Sequence, residues 1–127
     1  MPTETLIQEI AELKEAGYKI ETSEANGFVY LIFNNYPVPP SYNKRSTRLL
    51  LRLPIAYPQG NPDMFWTDTD LVLADKRVPT KADLIESHVG NQWRRFSWHP
   101  HGWNPGTGNL FIYLEFVDHG LIQAGKQ

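Results

Sequence analysis

The sequence predicts an α+β fold, and three observations carry that prediction. Helical periodicity stands at both ends of the chain. An Asn-Gly hairpin signal lies between two apolar runs near the start. A connector rich in Pro and Gly separates the strand-forming part from the last helix. The expected order is an N-terminal helix, an antiparallel meander of three to four strands, an irregular crossover, and a C-terminal helix packed on one face of the sheet. The 127 residues suit a single domain over 1–127. They contain no internal repeat, linker or low-complexity segment.

The first helix is read over 3–16. Leu6, Ile10 and Leu13 recur on one face with Ile7 beside it, Thr3 or Thr5 can cap the start, and Gly17 stops it. Thr5 followed by Gln8 has the spacing of a capping box. Strands are expected near 18–24 and 28–35, joined at Asn26-Gly27, because both residues tolerate positive φ. "PVPP" at 37–40 must be a loop, since proline cannot donate to a ladder. "TRLLLRLPIAYP" sets Leu49, Leu51, Leu53 and Ile55 against Arg48 and Arg52, which reads as a third strand with one wetter face; Pro54 marks a bulge or edge near its end. A short strand is expected at 70–74. "PTKADLIES" reads as one helical turn or two, and "NQWRRFSW" reads as extended. Leu110, Tyr113, Leu114, Val117 and Leu121 make a closing helix of about four turns, capped by Thr107 or Asn109.

Charge and composition exclude several functions. Twelve Lys and Arg against 14 Asp and Glu give a net charge of −2, with the signs interspersed, so neither a nucleic-acid surface nor a polybasic membrane patch is expected. With 41% hydrophobic and 20% charged residues the chain should fold rather than stay disordered. No apolar run approaches the ~18 residues of a membrane span, and the N-terminus reads as a helix start rather than a signal peptide. Cysteine is absent, which rules out disulfides, thiolate metal sites and thioester chemistry on this chain. A reducing cytosol suits that composition, so a cytoplasmic location is expected. Four histidines without cysteine argue against zinc, and no cofactor or metal is expected.

"FSWHPHGWNPGTGNLF", residues 96–111, holds two tryptophans, two histidines, two prolines and three glycines. No regular core element is written this way. "YPQGNPDMFW" after the third strand resembles the Tyr-Pro-x-x-x-Pro turn of ubiquitin-conjugating enzymes. "HP" and then "WNP", leading into a long helix, resemble the signatures that flank the catalytic loop of that family. "PDMFW" with "WRRFSWH...WNPG" is similar to a divergent bacterial branch encoded beside ubiquitin-like proteins, activating enzymes and JAB-type peptidases. The resemblance implies a ubiquitin-conjugating-like (UBC-like) fold, with a ubiquitin-like protein and its activating enzyme as partners. It also shows two departures. The third residue of the His-Pro-Asn signature is His101, and the segment that would carry the catalytic cysteine is missing.

The candidate site is therefore His99, Ser97, His101 and Asn104. Either imidazole can take an acyl group as nucleophile, or deprotonate an incoming lysine or a serine hydroxyl. Ser97 and His99 share a face in an extended segment, with Cα atoms roughly 6.6–7 Å apart; a bend at Pro100 would bring Oγ and imidazole together and permit an oxyester. Asn104, or an N–H of Gly102, Gly106 or Gly108, can receive an oxyanion. The plainer readings are an imidazole capping loop carbonyls, a strand serine bonded to backbone, and glycines meeting positive φ. Trp66, Trp93, Trp98 and Trp103 read as packing, an exposed one as a partner anchor. Asp63 reads as a turn cap, and Arg94 and Arg95 point to opposite faces. Three functions follow: acyl transfer through a non-cysteine centre; a non-catalytic UBC-like scaffold holding a ubiquitin-like protein or activating enzyme; and, last, an unrelated α+β hydrolase.

Overall fold

A computed structural model describes residues 2–126. Helix α1 (Glu4–Glu15) precedes β1 (Lys19–Ala25), β2 (Phe28–Pro37), β3 (Ser46–Pro54) and β4 (Phe65–Thr67). A hairpin of β5 (Leu84–His88) and β6 (Asn91–Phe96) follows, and α2 (Leu110–Ala124) ends the fold. All six strands form one antiparallel sheet in the order β1-β2-β3-β4-β6-β5. The first four make the expected meander. The crossover is less irregular than expected, because it contributes the β5–β6 hairpin.

The start of α1 has a local cause. Thr3 is the cap, not Thr5: its Oγ1 accepts from Leu6 N at 3.2 Å and donates to Tyr57 O at 2.6 Å, so the hydroxyl serves helix and turn at once. Thr5 lies inside the exposed first turn and the Thr5–Gln8 capping box does not form. Asn26 and Gly27 take φ of 54° and 81°, the two positive values of the expected hairpin turn. Pro54 closes β3 beyond the two residues that pair with β4, where no neighbour needs its missing N–H. No strand forms at 70–74; only Leu73 makes an isolated bridge, to Tyr42. The side chain of Asn43, bonded to Asp70 O and Val72 N, takes up the backbone groups a strand would have used. "PTKADLIES" is not helical. Its end runs extended as β5, turning into β6 at Val89-Gly90.

The two sheet faces differ. The helical face carries Val29, Leu31, Phe33, Leu49, Leu51, Leu53, Phe65 and Phe96, and buries them under Leu6, Ile10 and Leu13 of α1 and Tyr113, Val117 and Leu121 of α2. Gly120 lets α2 pack closely on the sheet, since a Cβ there would sit 3.0 Å from the Phe65 ring. The outer face carries a smaller cluster of Tyr30, Leu50, Trp66 and Trp93. Arginines roof it: Arg48 lies 4.6 Å over the Trp93 ring, and Arg52 lies 4.6 Å over Phe28 and 5.1 Å over Trp66. This is why both indoles are fully buried without a third layer.

Glu9 ties the ends of the chain together. Its buried Oε1 accepts from Tyr57 OH at 2.5 Å and from Leu110 N, in the first turn of α2, at 2.9 Å. A carboxylate at a helix N-terminus is electrostatically favoured. No helix among the described residues is long and apolar enough to cross a membrane.

Candidate active site

The site begins with the pairing of β4 and β6. Phe65 faces Phe96, so extending that register past the strand ends sets Asp63 opposite Trp98, one residue from His99. The result is a hydrogen bond between His99 Nδ1 and Asp63 Oδ1 at 2.7 Å. Both side chains remain open to solvent, 58% and 45% exposed. Asp63 is held on both sides. Pro62 before it is buried, and Met64 after it turns the chain at φ 57°, with its carbonyl accepting from Tyr113 OH at 2.6 Å. Burial pushes the Tyr113 phenol up, and the Asp63 carboxylate adds to that shift, so this donor keeps its proton.

Beyond Pro100 the connector folds over the start of α2. Trp103 donates from Nε1 to Pro58 O at 3.1 Å, and its ring packs against Tyr57 and Tyr113. Gly108 lies flat beneath the indole; a Cβ there would come within 2.7 Å of it. Asn104 organises the turn that follows. Its Oδ1 accepts from Gly106 N at 2.8 Å, and its carbonyl accepts from Thr107 N and Gly108 N. That leaves Nδ2 as the donating end of the amide. His101 and Asn104 line one shallow groove of about 170 Å³ with Pro100, Ile112, Tyr113 and Phe116.

Ser97 belongs elsewhere. Its N–H donates to Lys81 O at 2.9 Å, and its Oγ accepts from Arg95 Nε at 3.0 Å. Arg95 also pairs with Glu86 at 2.8 Å; Glu86 in turn accepts from Trp66 Nε1 and meets His88 Nε2 at 3.1 Å. Burial alone would raise the Glu86 carboxyl, but hydrogen bonds from Trp66 and His88 and the charge of Arg95 outweigh it and hold the carboxyl low. Ser97 is thus the end of an outer-face network. Among the described residues no hydrogen bond joins it to His99, so the expected Ser97–His99 pair does not form.

The structure therefore separates the four candidates into three places. His99 pairs with Asp63, His101 and Asn104 share a groove, and Ser97 is bound to Arg95. Asp63 is the residue that sequence reasoning missed, having been read as a turn cap. Its "PD" motif carries no signal for a partner 36 positions away. Arg94 and Arg95 do take opposite faces. Arg94 is buried on the helical side, donating to Ala82 O at 2.6 Å and Thr69 O at 2.9 Å, and so ties down the loop before β5. None of the four tryptophans stands exposed: Trp66 and Trp93 are buried, and Trp98 and Trp103 partly so.

A helix, an antiparallel meander, a Tyr-Pro turn and a Trp/His/Pro connector leading into a packed second helix are the architecture of a UBC-like protein. The chain belongs to that class through a particular branch: residues 6–124 match the model of prokaryotic E2 family E, and the protein is a member of that family. No curated protein and no solved structure matches it.

Proposed function

We propose that this protein works in a ubiquitin-like conjugation pathway, taking the activated C-terminus of a ubiquitin-like protein from its activating enzyme and passing it on through His99. The observation that carries this reading is the 2.7 Å contact between His99 Nδ1 and Asp63. A carboxylate on Nδ1 holds the ring in the tautomer with its proton there, which leaves the Nε2 lone pair free. Nε2 attacks the thioester carbonyl; an N–C bond forms, the C–S bond breaks, and the activating enzyme's thiolate leaves. The positive acyl-imidazole is stabilised by Asp63. An acceptor amine then attacks the same carbon, the N–C bond to His99 breaks, and the proton lost by the amine passes to solvent. The groove that His101 and Asn104 line, farther along the same connector, receives the chain leading to the carbonyl. Ser97 supports Arg95 and forms no ester.

The test incubates the protein with ATP, a bacterial ubiquitin-like protein and its activating enzyme, and traps acyl transfer with hydroxylamine. Hydroxylamine also cleaves the activating enzyme's own thioester, so the rate of hydroxamate formation is read above that of the activating enzyme alone. The excess should depend on the protein, fall to that background in His99→Ala, drop in Asp63→Asn and persist in Ser97→Ala. No protein-dependent hydroxamate, or one unaffected by His99→Ala, overturns the proposal. The scaffold reading has its own support, in the absence of any cysteine and the engagement of Ser97 by Arg95. It predicts full pathway output from His99→Ala.

A further inference from the structure

The two edges of the sheet are built differently. β1 is the edge that defends itself: Lys19, Glu21 and Glu24 are exposed along it, and only Ile20 turns inward. Charges on an edge strand discourage pairing with another chain. β5 carries no such defence. Leu84 and Ile85 are each 45% exposed, on opposite faces of the sheet. Its one acid, Glu86, is turned onto the outer face and occupied by Trp66, His88 and Arg95. No proline or lysine interrupts it. Among the described residues no segment pairs with its outer side.

The direction of its free backbone groups follows from the turn. Val89 and Gly90 both have positive φ, 44° and 80°, which makes a two-residue hairpin turn closed by the pair His88 and Asn91. In an antiparallel ladder hydrogen-bonded and non-bonded pairs alternate. His88, Glu86 and Leu84 therefore bond to β6, while Ser87, Ile85 and Asp83 direct N–H and C=O outward.

We infer that β5 pairs antiparallel with β5 of a second copy of this chain, centred on Ile85. That register is the self-complementary one. Ile85 faces Ile85 of the other copy as a hydrogen-bonded pair, and Asp83 and Ser87 form the same kind of pair on either side. Leu84 falls opposite the neutralised Glu86, so no like charges face each other. A register centred on Glu86 would set two carboxylates directly opposite, and one centred on Leu84 shortens the ladder. The exposed Leu84 and Ile85 lie on opposite faces, so a covering strand needs apolar side chains on both; β5 itself has them. The contact is one short strand wide, so the dimer forms and dissociates with concentration rather than staying permanent.

Sedimentation of the unmodified protein across a concentration series should show the mass rising from 14.6 kDa toward twice that value. Ile85→Pro should lower the association constant by about tenfold or more, while its melting temperature stays close to the parent, since the removed N–H points away from β6. The chain's lack of cysteine gives a direct check on register. Opposed Cα atoms in a hydrogen-bonded pair are ~5.5 Å apart, within disulfide reach. Ile85→Cys should therefore form a disulfide dimer under mild oxidation, and Ser87→Cys, four positions from its own counterpart, should not. A chain that stays monomeric at every concentration, or equal crosslinking by the two variants, overturns the inference. These measurements use no pathway partner, so their outcome is independent of the role given to His99.

Discussion

Replacing Glu9 by alanine should cost about 3–4 kcal/mol of stability, because the side chain serves two buried donors with one oxygen. Tyr57 OH and Leu110 N both reach Glu9 Oε1, at 2.5 and 2.9 Å, and both residues are fully buried. Alanine leaves each donor unpaired, at about 1–3 kcal/mol apiece, with water entering the vacated space giving back part of the loss. Over 127 residues, about 2.1 cal/mol/K per residue makes an unfolding entropy of about 0.27 kcal/mol/K. The melting temperature should thus fall by about 11–15 °C. Glu9→Gln should cost only about 1 kcal/mol, since an amide oxygen in the same place still accepts both bonds and loses only the charge assistance. Denaturant unfolding of both variants, with Tyr57→Phe alone and combined with Glu9→Ala, completes a thermodynamic cycle. Tyr57→Phe should destabilise the parent but not the Glu9→Ala protein, where the phenol has already lost its acceptor. Equal losses from Glu9→Ala and Glu9→Gln, or additive effects in the double variant, would refute the shared-oxygen argument.

Two further outcomes follow from the same geometry. Gly108→Ala drives a Cβ to within 2.7 Å of Trp103 and should cost about 1–3 kcal/mol as the indole is displaced; the Trp103 indole N–H, bonded to Pro58 O, should then exchange faster by NMR, and an unchanged rate would show that the ring is not seated on Gly108. In acid the fold should weaken through Asp68 and Glu86. Burial would raise the Asp68 carboxyl, but the Arg48 backbone N–H and guanidinium outweigh it and hold it low. A carboxyl lower in the folded than in the unfolded chain stabilises above the unfolded value and loses that contribution as pH falls through the folded one. Urea midpoints should therefore drop below about pH 4, and the Asp68→Asn, Glu86→Gln double variant should show a flatter profile there; an identical slope would mean these two groups contribute nothing.

The parts of the fold legible in the sequence are those in which neighbours along the chain are neighbours in space. Leu6, Ile10 and Leu13 mark the buried face of α1, and Leu110 through Leu121 mark that of α2, because a helix repeats every 3.6 residues whatever it packs against. Asn26-Gly27 announces its own turn. Val89-Gly90 makes the same kind of turn without announcing it, since a β-branched residue at positive φ is unexpected. The hairpin from 84 to 96 was hidden for that reason. Val89 packs on the outer-face aromatics, and that contact holds it in place.

The sequence by itself determined the class of fold, the absence of thiol chemistry, and the segment in which imidazoles and an amide are concentrated. Only the tertiary structure decided which of them has a partner. His99 meets Asp63 because β4 pairs with β6 across an intervening loop and hairpin strand, and Ser97 is taken by Arg95 because both project onto the outer face. Periodicity and turn chemistry act over a few residues, whereas strand pairing joins residues tens of positions apart and fixes register to a single residue. A hydrogen bond such as His99–Asp63 exists only once that register is set.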